Sequence, residues 1–498
     1  MHRRKTRSEC AAHALSSGVA LILAAWNPAP MQAQESQSPL TELNLEALSS
    51  TYLDSLLRPL VIDRMTDRYI AGAAIAVVHH GRVVYLEGFG DREVYSEDPV
   101  DAASTIFRIG SITKVLTGIA VMQLVDRGLV DLEADVNRYL TDVRVPDTFA
   151  EPVRVRHLLT HTAGFDQIGL DRHARSEDAV RPLGEWLSEN LVRIRPPGML
   201  TAYDTYGITL AGRLVESVSG LGFEDYLRRH LFEPLRMDRT GITVRAEWRG
   251  DVAVGYGFAG HWEVLPWEYM NTAPASTVNS TAADMARLMT VLLNGGQVDG
   301  VRVLSESSVR EMLTRQFTNH PDQPGYGYTF FEDPWRSVPR FSHGGSMSGY
   351  SAMLMLVPDY DIGIYVAYNQ ESDALVNTIM PALFESLLPG AQPLSLGERY
   401  AGDIDLARFA GLYADNVYHH GNPATGWRRR PTSMEVEELP SGEEVLVFQG
   451  MLLRPVGPLT FQREDGQLVS FRENEDGEIS HMFVRQQVYE GLPDRPPQ

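Results

Sequence analysis

Gly110-Ser111-Ile112-Thr113-Lys114 leads into a stretch whose apolar residues Leu116, Ile119, Ala120 and Leu124 recur at helical spacing. That pattern predicts a turn entering an amphipathic helix, with Ser111 at the helix N-terminus and Lys114 one turn along, where side chains three apart meet. Lysine is otherwise almost absent: among 44 Lys and Arg residues the only other lysine is Lys5, in a basic leader. Arginine cannot release its proton in a protein, whereas a desolvated lysine can, so a lysine kept amid arginines points to proton transfer and not merely to charge. Amides and dipole at the helix start would favour an oxyanion developing beside Ser111. Ser-x-x-Lys alone is a weak pattern, because serine is also a common N-cap.

The chain has 498 residues, 43% hydrophobic and 22% charged, an ordinary globular composition long enough for more than one domain. Its formal net charge of −21 argues against nucleic acid or an anionic membrane as partner. Residues 1–33 carry the parts of a secretory signal: basic His2-Arg3-Arg4-Lys5, an apolar run from Val19 to Trp26 and a small residue, Ala33, for cleavage. Export to the periplasm or exterior is therefore expected, with no stable membrane anchor. The single cysteine, Cys10, would leave with the leader, so disulfides, thiol catalysis and cysteine metal sites are not expected in the mature chain.

Polar residues 34–44 read as a flexible start. Ala71 to Val78 and Val83 to Phe89 read as a hairpin joined through His79-His80-Gly81-Arg82. Helical stretches are predicted near Leu210–Val218, Asp225–Leu231 and Ala282–Leu293, and a late hairpin from Met353–Val357 and Ile362–Ala367. The first domain is thus expected over 45–388 and a linker over 389–403. From 404 to 498 only short alternating runs remain, among them Glu444–Phe448, Leu459–Gln462, Gln467–Phe471 and His481–Val484, which predicts a separate small all-β domain. No internal repeat and no transmembrane helix is evident.

Three further passages carry polar groups in telling places. Tyr203, after the Pro197-Gly198 turn and before a helical stretch, is a candidate base if a neighbouring ammonium lowers its pKa from about 10; a tyrosine packed in the core is the plainer reading. His343-Gly344-Gly345-Ser346 precedes the late hairpin, and its glycines would let a substrate lie against the backbone. His157 and His161, four apart, resemble a zinc pair on a helix, but a third ligand and an intervening glutamate are missing, so a structural role is favoured and no metal or other cofactor is expected.

Phe107-Arg108-Ile109-Gly110-Ser111-Ile112-Thr113-Lys114, then Leu124 to Leu132, resembles the nucleophile region of the serine β-lactamase-related hydrolases. That family includes class C β-lactamases, D,D-peptidases, D-aminopeptidases and family VIII esterases. His157-Leu158-Leu159-Thr160-His161-Thr162-Ala163-Gly164 resembles its structural signature, and Ala202-Tyr203-Asp204-Thr205-Tyr206-Gly207 resembles its tyrosine motif. The resemblance spans roughly residues 45–388. It implies an α/β (α+β) fold, an antiparallel sheet flanked by helices with a helical subdomain, and the segment around Phe409-Ala410-Gly411-Leu412-Tyr413 resembles the small β-barrel appended to many members. It implies Ser111 as acylated nucleophile, Lys114 and Tyr203 as proton-transfer pair, His343-Gly344-Gly345 as strand-edge motif and the amides of Ser111 and Ser346 as oxyanion hole. Two departures stand out: Thr205 occupies the slot of the usual asparagine, and His343 that of the class C lysine, offering positive charge only when protonated.

The sequence thus predicts an exported serine hydrolase acting on an ester, amide or D-amino-acid peptide bond, with a small-molecule or peptide substrate, cell-wall fragments among the candidates. A dedicated β-lactamase and a non-catalytic penicillin-binding-like sensor are the alternatives. An α/β-hydrolase is disfavoured because no Gly-x-Ser-x-Gly surrounds a candidate serine.

Overall fold

The computed structural model describes residues 41–492 except 95, 97, 168–171, 259, 260 and 418–430. The expected leader, with Cys10, lies outside the described residues.

The continuous apolar run Gly72–His79 has no polar face, so it needs cover on both sides. It lies inside a seven-stranded antiparallel sheet, ordered Phe331–Glu332, Phe341–Met347, Tyr350–Val357, Ile362–Tyr368, Gly72–His79, Arg82–Glu93, Asp98–Pro99. Both predicted hairpins are present, and their inner strands pair with each other, Ala73 opposite Tyr368 and His79 opposite Ile362. Successive residues feed opposite cores: Ala74, Ala76 and Val78 join the core around the Thr113–Asp126 helix, while Ala73, Ile75 and Val77 join the other.

That second core is closed by helices Ser50–Arg68 and Ala374–Leu387, neither of which the periodicity reading singled out. The first buries Leu53, Leu57, Val61 and Met65, an i, i+4 stripe one residue wide, and each helix carries a proline, Pro59 and Pro381, that blurs the signal. The Ala282–Leu293 helix has its predicted bounds. The predicted helical stretch at Asp225–Leu231 is helical, a short α-helix over Phe223–Leu227 that continues as a π-helical turn over Arg228–Phe232.

Eight strands between Gly411 and Leu492 close into an antiparallel barrel. Its interior is built on Phe409, Phe461 and Phe471, whose rings meet edge to face with the Phe409 centroid 4.9 Å from each of the other two. The barrel is fastened to the segment that precedes Tyr203. Asn416 Nδ2 donates to the Thr201 carbonyl at 2.8 Å, Arg195 pairs with Glu490 at 2.9 Å, and Leu200 is buried with Phe483 and Val488.

Candidate active site

Ser111 lies in a 3₁₀ turn, Gly110–Ile112, that runs into the Thr113–Asp126 helix. Gly110 adopts φ +53°, a conformation that glycine takes at little cost, and Thr113 Oγ1 closes the turn on the Gly110 carbonyl at 2.7 Å. The helix departs from the amphipathic expectation: every residue from Thr113 to Leu124 is buried. It runs through the middle of the domain, and its polar side chains donate internally, Thr117 to the Pro274 carbonyl and Gln123 Nε2 to those of His230 and Val303, while Gln123 Oε1 is buried without a partner among the described residues.

Lys114 is therefore 1% exposed. Its Nζ lies 3.2 Å from Ser111 Oγ and 2.9 Å from the Ala275 carbonyl. Burial, with the nearby Arg172 charge, pushes its pKa down to about 7, while Asp204 opposes the shift. The amine is thus positioned and tuned to accept the serine proton near neutrality.

Tyr203 joins them. The lysine Nζ sits over its ring, 4.8 Å from the centroid. The expectation of a lowered tyrosine pKa is corrected: burial pushes it up, the nearby Ser111 side chain opposes only in part, and the lysine faces the ring. The resting phenol is neutral.

The histidine pair is split by geometry. His157 is in the Val155–Leu159 helix, with Nδ1 accepting from the Arg154 amide at 3.1 Å, whereas His161 lies beyond the helix end with φ +57°. His161 holds the tyrosine segment: Nδ1 accepts from the Asp204 amide at 3.0 Å, its carbonyl accepts from Ala202, and its ring packs 4.7 Å from that of Tyr203. Among the described residues no group of three His, Cys, Asp or Glu is arranged to hold a metal.

His343 is buried against Phe331 and Tyr203, with Nδ1 2.7 Å from the Gly344 carbonyl. Burial and the Lys114 charge hold its pKa down to about 3, so the ring is neutral and supplies no positive charge at working pH. Its Gly345 neighbour serves the protein itself and not only a substrate. A Cβ there would come within 1.9 Å of the Ile109 carbonyl and 3.3 Å of the Ser111 amide nitrogen, and one on Gly110 within 2.7 Å of the Ser346 amide nitrogen. Two glycines thus let the strand edge approach the Gly110–Ile112 turn and bring the Ser111 and Ser346 amides together. Gly344 has room, with Met353 Cε 3.5 Å from its added Cβ.

Ser111, Lys114, Tyr203, Thr205 and Ser346 line one cavity of about 420 Å³; His343, Gly344 and Gly345 form no part of its wall. Thr205 opens the Thr205–Ser219 helix, capped by Asp204, whose Oδ1 accepts from Gly207 at 2.9 Å and Gln167 at 3.1 Å. Burial raises the Asp204 pKa to about 6. Sequence reasoning assigned no role to Asp204, although an acidic residue before an apolar-periodic run is an N-cap signal. Gln167, Arg172, Glu268 and Glu371 also line the cavity, and Ser346 Oγ donates to Glu371 at 2.9 Å. They stand in loops and carried no recognisable pattern.

The Beta-lactamase family model matches residues 57–382. Penicillin-binding protein 4 of Amycolatopsis lactamdurans is 29% identical over 70% of this chain and 94% of its own length, and penicillin-binding protein 4* of Bacillus subtilis is 26% identical over 72% and 81%. A β-lactamase of Yersinia enterocolitica is 28% identical over 51% of this chain and 61% of its own. In fold, the chain is similar to the octameric penicillin-binding protein homologue of Pyrococcus abyssi, with a TM-score of 0.58 at 23% identity, covering 87% of this chain and 99% of that one. With this match over most of the sheet and helices, the chain belongs to the β-lactamase family, the serine hydrolases related to β-lactamases and penicillin-binding proteins.

Proposed function

We propose that the protein is an exported hydrolase that cleaves an ester, amide or D-amino-acid peptide bond through an acyl-enzyme on Ser111. The observation that carries this reading is Lys114, buried 3.2 Å from Ser111 Oγ and brought to a pKa of about 7. Near neutrality the free amine is well populated. That amine takes the Ser111 proton as Oγ attacks the substrate carbonyl, and the amides of Ser111 and Ser346 receive the oxyanion. On collapse the Lys114 ammonium returns the proton to the leaving group through the neutral Tyr203 hydroxyl, which acts as a relay and not as a resting phenolate. Water then attacks the ester by the same proton path, restoring free Ser111.

Two features favour esters and D-amino-acid amides over β-lactams. The Thr205 position on the cavity wall lacks the carboxamide that would bind an acylamino carbonyl, and neutral His343 offers no cation to a substrate carboxylate. The names of the relatives favour a second reading, a penicillin-binding protein that acylates and stays acylated. Intact-mass spectrometry over time, with p-nitrophenyl esters, D-amino-acid amides and a chromogenic cephalosporin, separates them. The proposal expects ester or amide turnover with return to free serine, lost in Ser111→Ala; a stable adduct without turnover on every substrate overturns it.

A further inference from the structure

Three residues before the nucleophile, Arg108 ends a short strand paired with Asn279–Ser280. It is 3% exposed, and its guanidinium stacks on Trp267, 4.3 Å from the ring centroid. Among the described residues nothing hydrogen-bonds or ion-pairs with that guanidinium, and its Nε is sealed from solvent without a partner. The neighbouring polar groups are engaged elsewhere. Glu268 meets His173 at 3.4 Å and accepts from the Ser348 amide, and the Tyr350 hydroxyl donates to the Ala253 carbonyl. A buried arginine cannot discharge by losing its proton, so an unpaired one is costly to keep.

Arg108 lines a cavity of about 640 Å³ distinct from the Ser111 cavity, the two sharing Glu268 and Met270 as a common wall. Its other walls include apolar Ile242, Val244 and Val252, with Glu177 and Arg249 exposed among its lining. We infer that this cavity binds a small carboxylate with an apolar body, the carboxylate forking onto Arg108 and the body lying on Val244 and Val252. Guanidinium geometry matches a carboxylate bidentately, and the apolar walls match the remainder.

Isothermal titration of the full chain with 4-phenylbutyrate and with its neutral amide, in a buffer free of carboxylates, tests the site. The acid is expected to bind one to one, the amide at least about tenfold more weakly. Arg108→Gln should remove that preference. Because a core change can unfold the protein, Val244→Trp, at a half-buried position of the cavity wall, provides a second variant and should abolish acid binding by filling the space. Ser346→Trp, which obstructs the Ser111 cavity, should leave it intact. Equal binding of acid and amide, no binding of either, or acid binding that survives Val244→Trp but disappears in Ser346→Trp each overturns the site.

Discussion

Ser111 is flanked by two buried cations, Arg108 three residues before it and Lys114 three after, and the protein handles them in opposite ways. Lys114 is held by the Ala275 carbonyl and the serine itself, and burial lowers its pKa to about 7, so the cost of desolvation is met by giving up the proton. Arg108 has no such exit. Burial lowers its proton affinity too, yet a guanidinium stays charged, and the protein gives it an indole face and an open cavity. Similar burial thus leaves a cation that can give up its proton on one side of Ser111 and a permanent one on the other, and residue type decides which.

The most direct way to break that contrast is to make the two alike. Lys114→Arg keeps a charge beside Ser111 but removes the exchangeable proton, so activity should fall about 10²–10⁴-fold, as far as in Lys114→Ala. Initial rates on a p-nitrophenyl ester, with folding checked by circular dichroism, measure this. Substantial activity in the arginine variant would mean that charge alone suffices and that the pKa of Lys114 is incidental.

Much of this was legible in the sequence because strong local rules apply there. The serine and lysine three apart, the glycine before them and the paired apolar runs at both ends of the domain are short-range patterns, and the structure places all of them as read. What could not be read depends on where distant segments meet. The full burial of the Thr113–Asp126 helix, the upward shift of Tyr203 and the neutrality of His343 arise from packing by Phe331, His161 and the Ala273–Ser276 turn, which lie far off in sequence. The same holds for the barrel: four of its strands were anticipated as alternating runs, while its seat on Thr201 came from tertiary contacts alone. Arg108 stands in the sequence only as one letter of a motif, since nothing in a sequence marks an arginine as buried without a partner.

The contrast also depends on a backbone too tightly packed to let the strand edge drift from the nucleophile turn. Gly345→Ala forces a Cβ against the Ile109 carbonyl and should cost ~1–3 kcal/mol of stability along with much of the activity, whereas Gly344→Ala, which has space, should stay within ~0.5 kcal/mol. Paired urea denaturation curves read the difference, and equal midpoints for the two variants would refute the packing argument.

A finer test varies the charge felt by Lys114 without touching it. With the neutral amine as the proposed base, kcat/KM should rise with pH through a limb near 7. The buried Asp204 carboxylate favours the ammonium, so Asp204→Asn, which can still cap the Thr205–Ser219 helix, should move that limb to lower pH by up to about one unit, or ~1.4 kcal/mol. Arg172, His161, His343 and Tyr203 surround the same lysine and remain unchanged. A limb that stays in place, or moves upward, would show that Asp204 acts only as a cap.

The smallest expected effect concerns which substrate profits from the base. Thr205 lines the Ser111 cavity at the first turn of its helix, so a side chain there has access to a bound acyl group. If the missing carboxamide limits recognition of an acylamino carbonyl, Thr205→Asn should raise kcat/KM for a cephalosporin or D-peptide relative to a short-chain ester. One well-placed hydrogen bond contributes roughly 0.5–1.5 kcal/mol, or about 2–13-fold. The ester, lacking that carbonyl, should gain little, and the pH limb set by Lys114 should not move, which separates a binding effect from a change in the base. Steady-state kinetics on both substrate types reads the ratio directly. An unchanged or reversed ratio in a folded variant would make Thr205 a spectator of substrate choice.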